Sequence, residues 1–208
     1  MLIQSLFSEP ILFFLWVVAI IVALTIHEFS HALAGKLQGD PTAELEGRLT
    51  LNPLSHIDWL GFALLLIAGF GWAKPTPFNP YNLKYKKWGG ALVALAGPIS
   101  NTLIVVIIGA VLAIVVRVTD LPADNLMIRF FLLLLQINVL LAIFNLFPIP
   151  PLDGSKVLYS LIGDRYPQVV QFLETYGTYI LIAFVIFGGG FLTALFQLVY
   201  SIVLNTIF

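Results

Sequence analysis

The chain alternates long apolar runs with short polar connections. Four runs are long enough to cross a bilayer as helices, for which roughly 20 apolar residues suffice. They cover about 10–37, 88–118, 127–147 and 176–204. Gly188, Gly189 and Gly190 lie inside the last and predict a break or bend there. A fifth apolar run, 59–72, is shorter and ends at "GWAKPTP". Its length fits a re-entrant or interfacial element. Between the first run and the fifth, Arg48, Leu49, Thr50, Leu51 and Asn52 alternate polar and apolar after Gly47. That alternation predicts a short strand, half of a small β-hairpin-like loop. Pro75, Pro77 and Pro80 stiffen the next connection. The expected architecture is an all-α polytopic membrane protein of about four full spans. It forms a single membrane-embedded unit over 1–208, with its core at about 10–160 and a C-terminal span at about 176–204.

Composition agrees with this pattern. Of 208 residues, 60% are hydrophobic and only 10% charged, against about 25% charged in soluble domains. The net charge of −1 gives no sign of a nucleic-acid partner. With no cysteine, the sequence excludes disulfides and thiolate metal sites. Residues 1–10 hold no Lys or Arg, and the apolar run behind them exceeds a signal-peptide core. The first run is therefore expected to stay as a span.

Lys and Arg set the expected orientation. If 59–72 does not cross, eight of them (Lys36, Arg48, Lys74, Lys84, Lys86, Lys87, Lys156 and Arg165) share one side, and Arg117 and Arg129 face the other. That places the N-terminus outside and the long connection in the cytoplasm. If 59–72 does cross, the split falls to six against four.

The candidate chemistry lies in the first span, at "LTIHEFSHALAG". Helical residues four apart share a face, so His27 and His31 can hold one metal ion. Glu28 projects beside that ion, where it can take a proton from a water held there. Each ionisable group at the bilayer centre costs roughly 2.5–3.5 kcal/mol on insertion scales. Three of them within five residues require compensation: a metal is the simplest, and a proton- or ion-conducting path is the rival. Zinc needs a third protein ligand and an open position. The strongest acidic candidate is Asp153 in "NLFPIPPLDGSKVL", where Pro148, Pro150 and Pro151 interrupt the helix and Gly154 permits a sharp turn. Alternatively, Asp153 only caps the helix that follows. The four-span topology favours the ligand, because the first and third full spans then run the same way and bring His31 and Asp153 to one side. Gly90, Ala94, Gly97 and Asn101 fall at helical spacing and offer a small-residue face to the histidine helix. Asn101, Asn138 and Asn145 are amides at membrane depth, whose usual work is to join helices.

These motifs resemble a site-2 protease, an intramembrane zinc metalloprotease, in the short form common in bacteria and archaea. "HEFSHALAG", "GRLTLNPLSHIDWLG", "GWAKPTPFNPYNL", "LAGPISN" and "NLFPIPPLDGSKVL" carry the likeness over most of 24–158. The resemblance implies one Zn²⁺ per chain on His27, His31 and Asp153, with Glu28 as catalytic base. It implies that Asn145 orients the substrate or stabilises the oxyanion. His56 matches a family histidine, as an electrophile, a support to the metal site or a loop anchor; we expect the last. Asn101 is a further candidate support to the site. The implied partners are a transmembrane protein or peptide substrate and the lipid bilayer, in a prokaryotic cell membrane with the active site toward the cytoplasm. PDZ and CBS domains, frequent in the family, have no room here, and the tail after Lys156 departs furthest from the pattern. The alternative function is a metal-ion or proton transporter built on the same polar residues.

Overall fold

The computed structural model describes residues 6–69, 71–122 and 124–207. Among the described residues from Pro10 onward, seven α-helices follow in chain order: α1 Pro10–Leu37, α2 Thr42–Leu45, α3 Trp59–Ala68, α4 Gly89–Val118, α5 Leu126–Asn145, α6 Gly154–Ile162 and α7 Pro167–Ile207. Four of them, α1, α4, α5 and α7, are long and apolar enough to cross a membrane. At 1.5 Å per residue, the ten residues of α3 reach about 15 Å. That is half of a roughly 30 Å hydrocarbon core, so α3 is a partial element, as the length of the run predicted.

Local chemistry sets the boundaries. Pro10 opens α1 at a position where a missing N–H costs nothing, and Lys36 sits in its last turn, where the helix dipole favours a cation. Asp58 caps α3 by accepting from Gly61 N–H at 2.8 Å, and Gly69, at φ 75°, ends it in the left-handed region. Asn125 caps α5 through Met127 N–H at 2.9 Å.

Helices α1, α4 and α5 form the frame. Ala19, Ile20 and Ala23 of α1 meet Leu134 and Ile137 of α5, with Phe62 and Leu65 of α3 against them. Val105 and Leu112 of α4 pack with Ile128, Leu135 and Val139 of α5 and with Ile207 at the far end of α7. Along α7 itself only Gly177, Leu181 and Ile207 are buried among the described residues.

Three expectations are corrected. Residues 48–52 form no strand: they run through bends into a 3-10 turn, Pro53–Ser55. Their polar positions serve local turns, with Thr50 Oγ accepting from Asn52 N–H at 3.1 Å and Asn52 Oδ1 from Leu54 N–H at 3.1 Å. No break occurs at Gly188, Gly189 and Gly190, because α7 continues through them as helix. Leaving the helix inside a bilayer would strand backbone groups without water, a cost that outweighs glycine's flexibility. The helix also begins at Pro167, ahead of the expected start near 176.

Beyond α1 the chain is tied by Asp40, which is buried. Its carboxylate accepts from the Thr42 hydroxyl (2.6 Å), Asn82 Nδ2 (3.0 Å), Asn79 N–H (2.6 Å) and Thr42 N–H (3.1 Å). Burial alone would raise its pKa, but these donors together hold it below the usual carboxylate value. A group whose folded pKa is lowered contributes stability that is complete above its unfolded value, about 3.9. That contribution is lost as pH falls through the folded pKa. Melting followed by tryptophan fluorescence should therefore fall more steeply below about pH 4 in wild type than in Asp40→Asn.

Candidate metal centre and active site

His27 and His31 sit one turn apart on α1, and both are buried. Their Nε2 atoms lie 3.1 Å apart. Asp153 Oδ2 is 3.1 Å from His27 Nε2 and 3.3 Å from His31 Nε2. The three side chains form the one such metal-holding group among the described residues.

The Nδ1 atoms decide what this cluster is. His31 Nδ1 faces the carbonyl of Val93 at 2.8 Å. A carbonyl can only accept, so Nδ1 carries the proton. His27 Nδ1 faces Asn101 Oδ1 at 2.6 Å. The orientation of that amide is fixed further along: Asn101 Nδ2 donates to Asn138 Oδ1 at 2.7 Å, and Asn138 Nδ2 donates to the Leu134 carbonyl at 2.7 Å. This directional chain crosses α5, α4 and α1 and leaves His27 protonated on Nδ1. In neutral imidazoles both Nε2 lone pairs therefore point at each other and at a carboxylate oxygen. Asp153 Oδ2 is buried and receives no hydrogen bond. Such a set repels itself unless a cation lies between its members. In a tetrahedral zinc centre with bonds of about 2.0–2.1 Å, ligand atoms stand about 3.3 Å apart. The observed separations of 3.1–3.3 Å fit that ion.

Asp153 occupies the N-cap position of α6 but makes no capping hydrogen bond, so its side chain does not do the work of the alternative reading. The preceding loop has a cis bond between Pro150 and Pro151. Gly154 does not adopt a left-handed conformation. It is required because a Cβ there would lie 2.3 Å from the Leu146 carbonyl oxygen and 2.5 Å from that of Phe147. The small-residue face of α4 has a similar basis: a Cβ on Gly97 would lie 2.5 Å from His31 Nε2 and 2.6 Å from His27 Nε2.

Glu28 is buried on α1 beside the histidines. With His31, Asp153 and Lys156 it lines a cleft of about 340 Å³, walled on the other side by Trp72, Pro75 and Thr76. Oε2 of Glu28 accepts from Thr76 N–H at 3.0 Å and from the Thr76 hydroxyl at 2.8 Å. Sequence reasoning missed Thr76; the contact spans 48 positions, and no local pattern marks it.

Three candidates lie elsewhere. His56 is buried, with Nε2 donating to the Thr50 carbonyl at 2.8 Å while its own carbonyl accepts from Lys74 N–H at 2.9 Å. Those contacts match a loop anchor. Asn101, 0% exposed, touches His27 directly and does more than join helices. Asn145 is half-buried at the end of α5 and donates Nδ2 to the Leu141 carbonyl of its own helix at 3.0 Å.

Comparison with known proteins gives a consistent result. Residues 15–188 match the model of peptidase family M50. "Putative zinc metalloprotease YwhC" of Bacillus subtilis (strain 168) is 38% identical over 193 residues, covering 91% of this chain and 85% of that protein. "Putative zinc metalloprotease Rip2" of Mycolicibacterium smegmatis (strain ATCC 700084 / mc(2)155) is 28% identical over 179 residues, covering 84% of this chain and 67% of that protein. No solved structure matches. A paired-histidine helix with an adjacent glutamate, a distant aspartate closing the cluster, and a family match over most of the length lead to one conclusion: the chain belongs to peptidase family M50, the site-2 proteases.

Proposed function

We propose that the protein is an intramembrane zinc endopeptidase. It hydrolyses a peptide bond within or near the membrane-spanning segment of another membrane protein. The carrying observation is the cluster of two imidazole lone pairs and an unbonded carboxylate oxygen, 3.1–3.3 Å apart, with Glu28 alongside. His27, His31 and Asp153 hold one zinc ion per chain. Zinc supplies Lewis-acid chemistry, polarising a carbonyl and bringing the pKa of water close to neutrality. Glu28 takes the proton from the attacking water and delivers it to the leaving amine. Asn145, by family resemblance, orients the substrate or steadies the developing oxyanion. A substrate helix hides its amides in its own hydrogen bonds, so the scissile segment unwinds to lie in the cleft. The connection at 71–79 supplies Trp72, Ala73, Pro75, Thr76 and Phe78 to the wall of that cleft. The Lys and Arg distribution supports a site that faces the cytoplasm, and the family resemblance supports a prokaryotic cell membrane.

The test uses purified protein in lipid vesicles. Its substrate is a synthetic single-span peptide of about 20 Leu and Ala residues with a central Asn-Pro pair that weakens the helix. Wild type should carry one zinc per chain and cleave the peptide. A chelator should abolish cleavage, and added zinc should restore it. Asp153→Ala should lose both zinc and cleavage. Cleavage that survives full metal removal overturns the reading, as does ion flux across the vesicles without any peptide hydrolysis.

A further inference from the structure

The strap at residues 71–79 is held by groups from three parts of the chain. Lys74 N–H donates to the His56 carbonyl at 2.9 Å. The Lys74 carbonyl accepts from Arg48 Nη2, and Asn79 N–H donates to Asp40 Oδ2 at 2.6 Å. Arg48 is 2% exposed, and its Nε and Nη1 have no partner. A buried guanidinium is costly to place, yet here its one hydrogen bond is spent on the strap's backbone. Lys74 and Thr76 each precede a proline, which confines both to extended backbone. Pro75 and Pro77 have no N–H, so Thr76 is the sole main-chain donor across 75–77. That donor, and the side-chain hydroxyl with it, converge on Oε2 of Glu28 at 3.0 and 2.8 Å. The hydroxyl also lies 3.1 Å from the Glu28 carbonyl. It has one proton, and the shorter contact to a charged oxygen takes it. Among the described residues Oε1 of Glu28 accepts no hydrogen bond, and Glu28 lines the cleft.

From this arrangement we propose that Thr76 is a positioning residue for the peptidase reaction: its two donors lock Oε2 of Glu28 and leave Oε1 as the oxygen that exchanges the proton. The proposal rests on the reading of Glu28 as the base. A carboxylate on a helix can otherwise rotate about three side-chain bonds, and a base must lie within hydrogen-bond reach of its proton. Fixing one oxygen from the strap removes that freedom before substrate arrives. His56, Arg48 and Asp40 serve the same end by holding the strap in register with α1.

If Thr76 merely pinned the strap, its loss would widen the cleft and raise KM. Thr76→Val keeps shape and backbone N–H but removes the hydroxyl; Thr76→Ser restores the hydroxyl. With the model peptide, Thr76→Val should lower kcat about tenfold, the effect of one hydrogen bond to a charged group, with KM and zinc content unchanged. Thr76→Ser should recover wild-type kcat. A rise in KM alone, or equal loss in both variants, overturns the proposal. A second readout needs neither metal nor cleavage. In metal-free protein with ¹³C-labelled glutamate, the carboxylate band of Glu28 is the one missing in Glu28→Gln. It should shift in Thr76→Val and return in Thr76→Ser; an unmoved band overturns the proposal. A shifted band in a protein whose cleavage ignores Glu28→Gln would retain the contact and refute the base. An unmoved band with Glu28-dependent cleavage would do the reverse.

Discussion

Glu28→Gln is expected to end peptide hydrolysis while leaving the zinc in place. Glutamine has nearly the shape of glutamate and can still accept from Thr76 N–H and its hydroxyl, so the strap keeps its hold. The amide cannot take a proton from water or pass one to the departing amine. General acid–base catalysis contributes roughly 10²–10⁴ in rate, and kcat should fall by at least the lower bound. His27, His31 and Asp153 are untouched, and zinc per chain measured by atomic absorption should equal wild type. A Gln variant that still cleaves, with metal bound, would place the base elsewhere.

The second large effect is expected from the smallest substitution. In Gly97→Ala the new methyl would stand 2.5 Å from His31 Nε2 and 2.6 Å from His27 Nε2, atoms that would otherwise face the ion. Neither ring can swing aside cheaply. His31 is bonded through Nδ1 to Val93, one turn before Gly97, and His27 to Asn101, one turn after it. The helix that brings the methyl therefore also holds both rings. Yielding breaks a buried hydrogen bond, at about 1–3 kcal/mol, or displaces a ligand nitrogen. Zinc affinity should drop by tenfold or more, as it does when the groups supporting a ligand are disturbed, and cleavage should fall with it. Far-ultraviolet circular dichroism should remain that of the folded helices, because Ala is the better helix former at a position inside α4. Full zinc occupancy at wild-type affinity would show that α4 can move away from α1, contrary to the packing described.

The spans were legible because lipid leaves one outcome for a long apolar run: every backbone group must be satisfied inside the segment. The same rule keeps α7 helical through Gly188, Gly189 and Gly190, since glycine's freedom to leave the helix counts only where water can take the released groups. Alternation at 48–52 misled for a different reason. Arg48 is buried to reach the Lys74 carbonyl, and Asn52 faces outward to cap a turn; neither follows a sheet's in-and-out rhythm. Within the site, the histidine pair and Glu28 were readable from helical spacing. The placement of Asp153 needed topology as well, and here charge bias and metal geometry agreed. Asn101 and Asn138 were readable as amides that join helices and Asn101 as a support to the site, but their specific partners, and the contact of Thr76 with Glu28, were not. The meetings of Glu28 with Thr76, Asn101 with Asn138 and His27 with Asn101 join residues 37 to 74 positions apart, and a single sequence has no periodic signal for them.

With 41 residues, α7 measures about 60 Å along its axis, roughly twice the oily layer it would traverse. Among its described residues only three are fully buried, and Phe196, Val199, Tyr200 and Val203 are partly covered by the core. Acyl chains thus cover much of its surface, and a helix this long meets the bilayer by tilting or by reaching beyond it. Stripping away annular lipid would loosen this helix first, and Gly177, seated on Pro150, would pass that loss to the loop that carries Asp153.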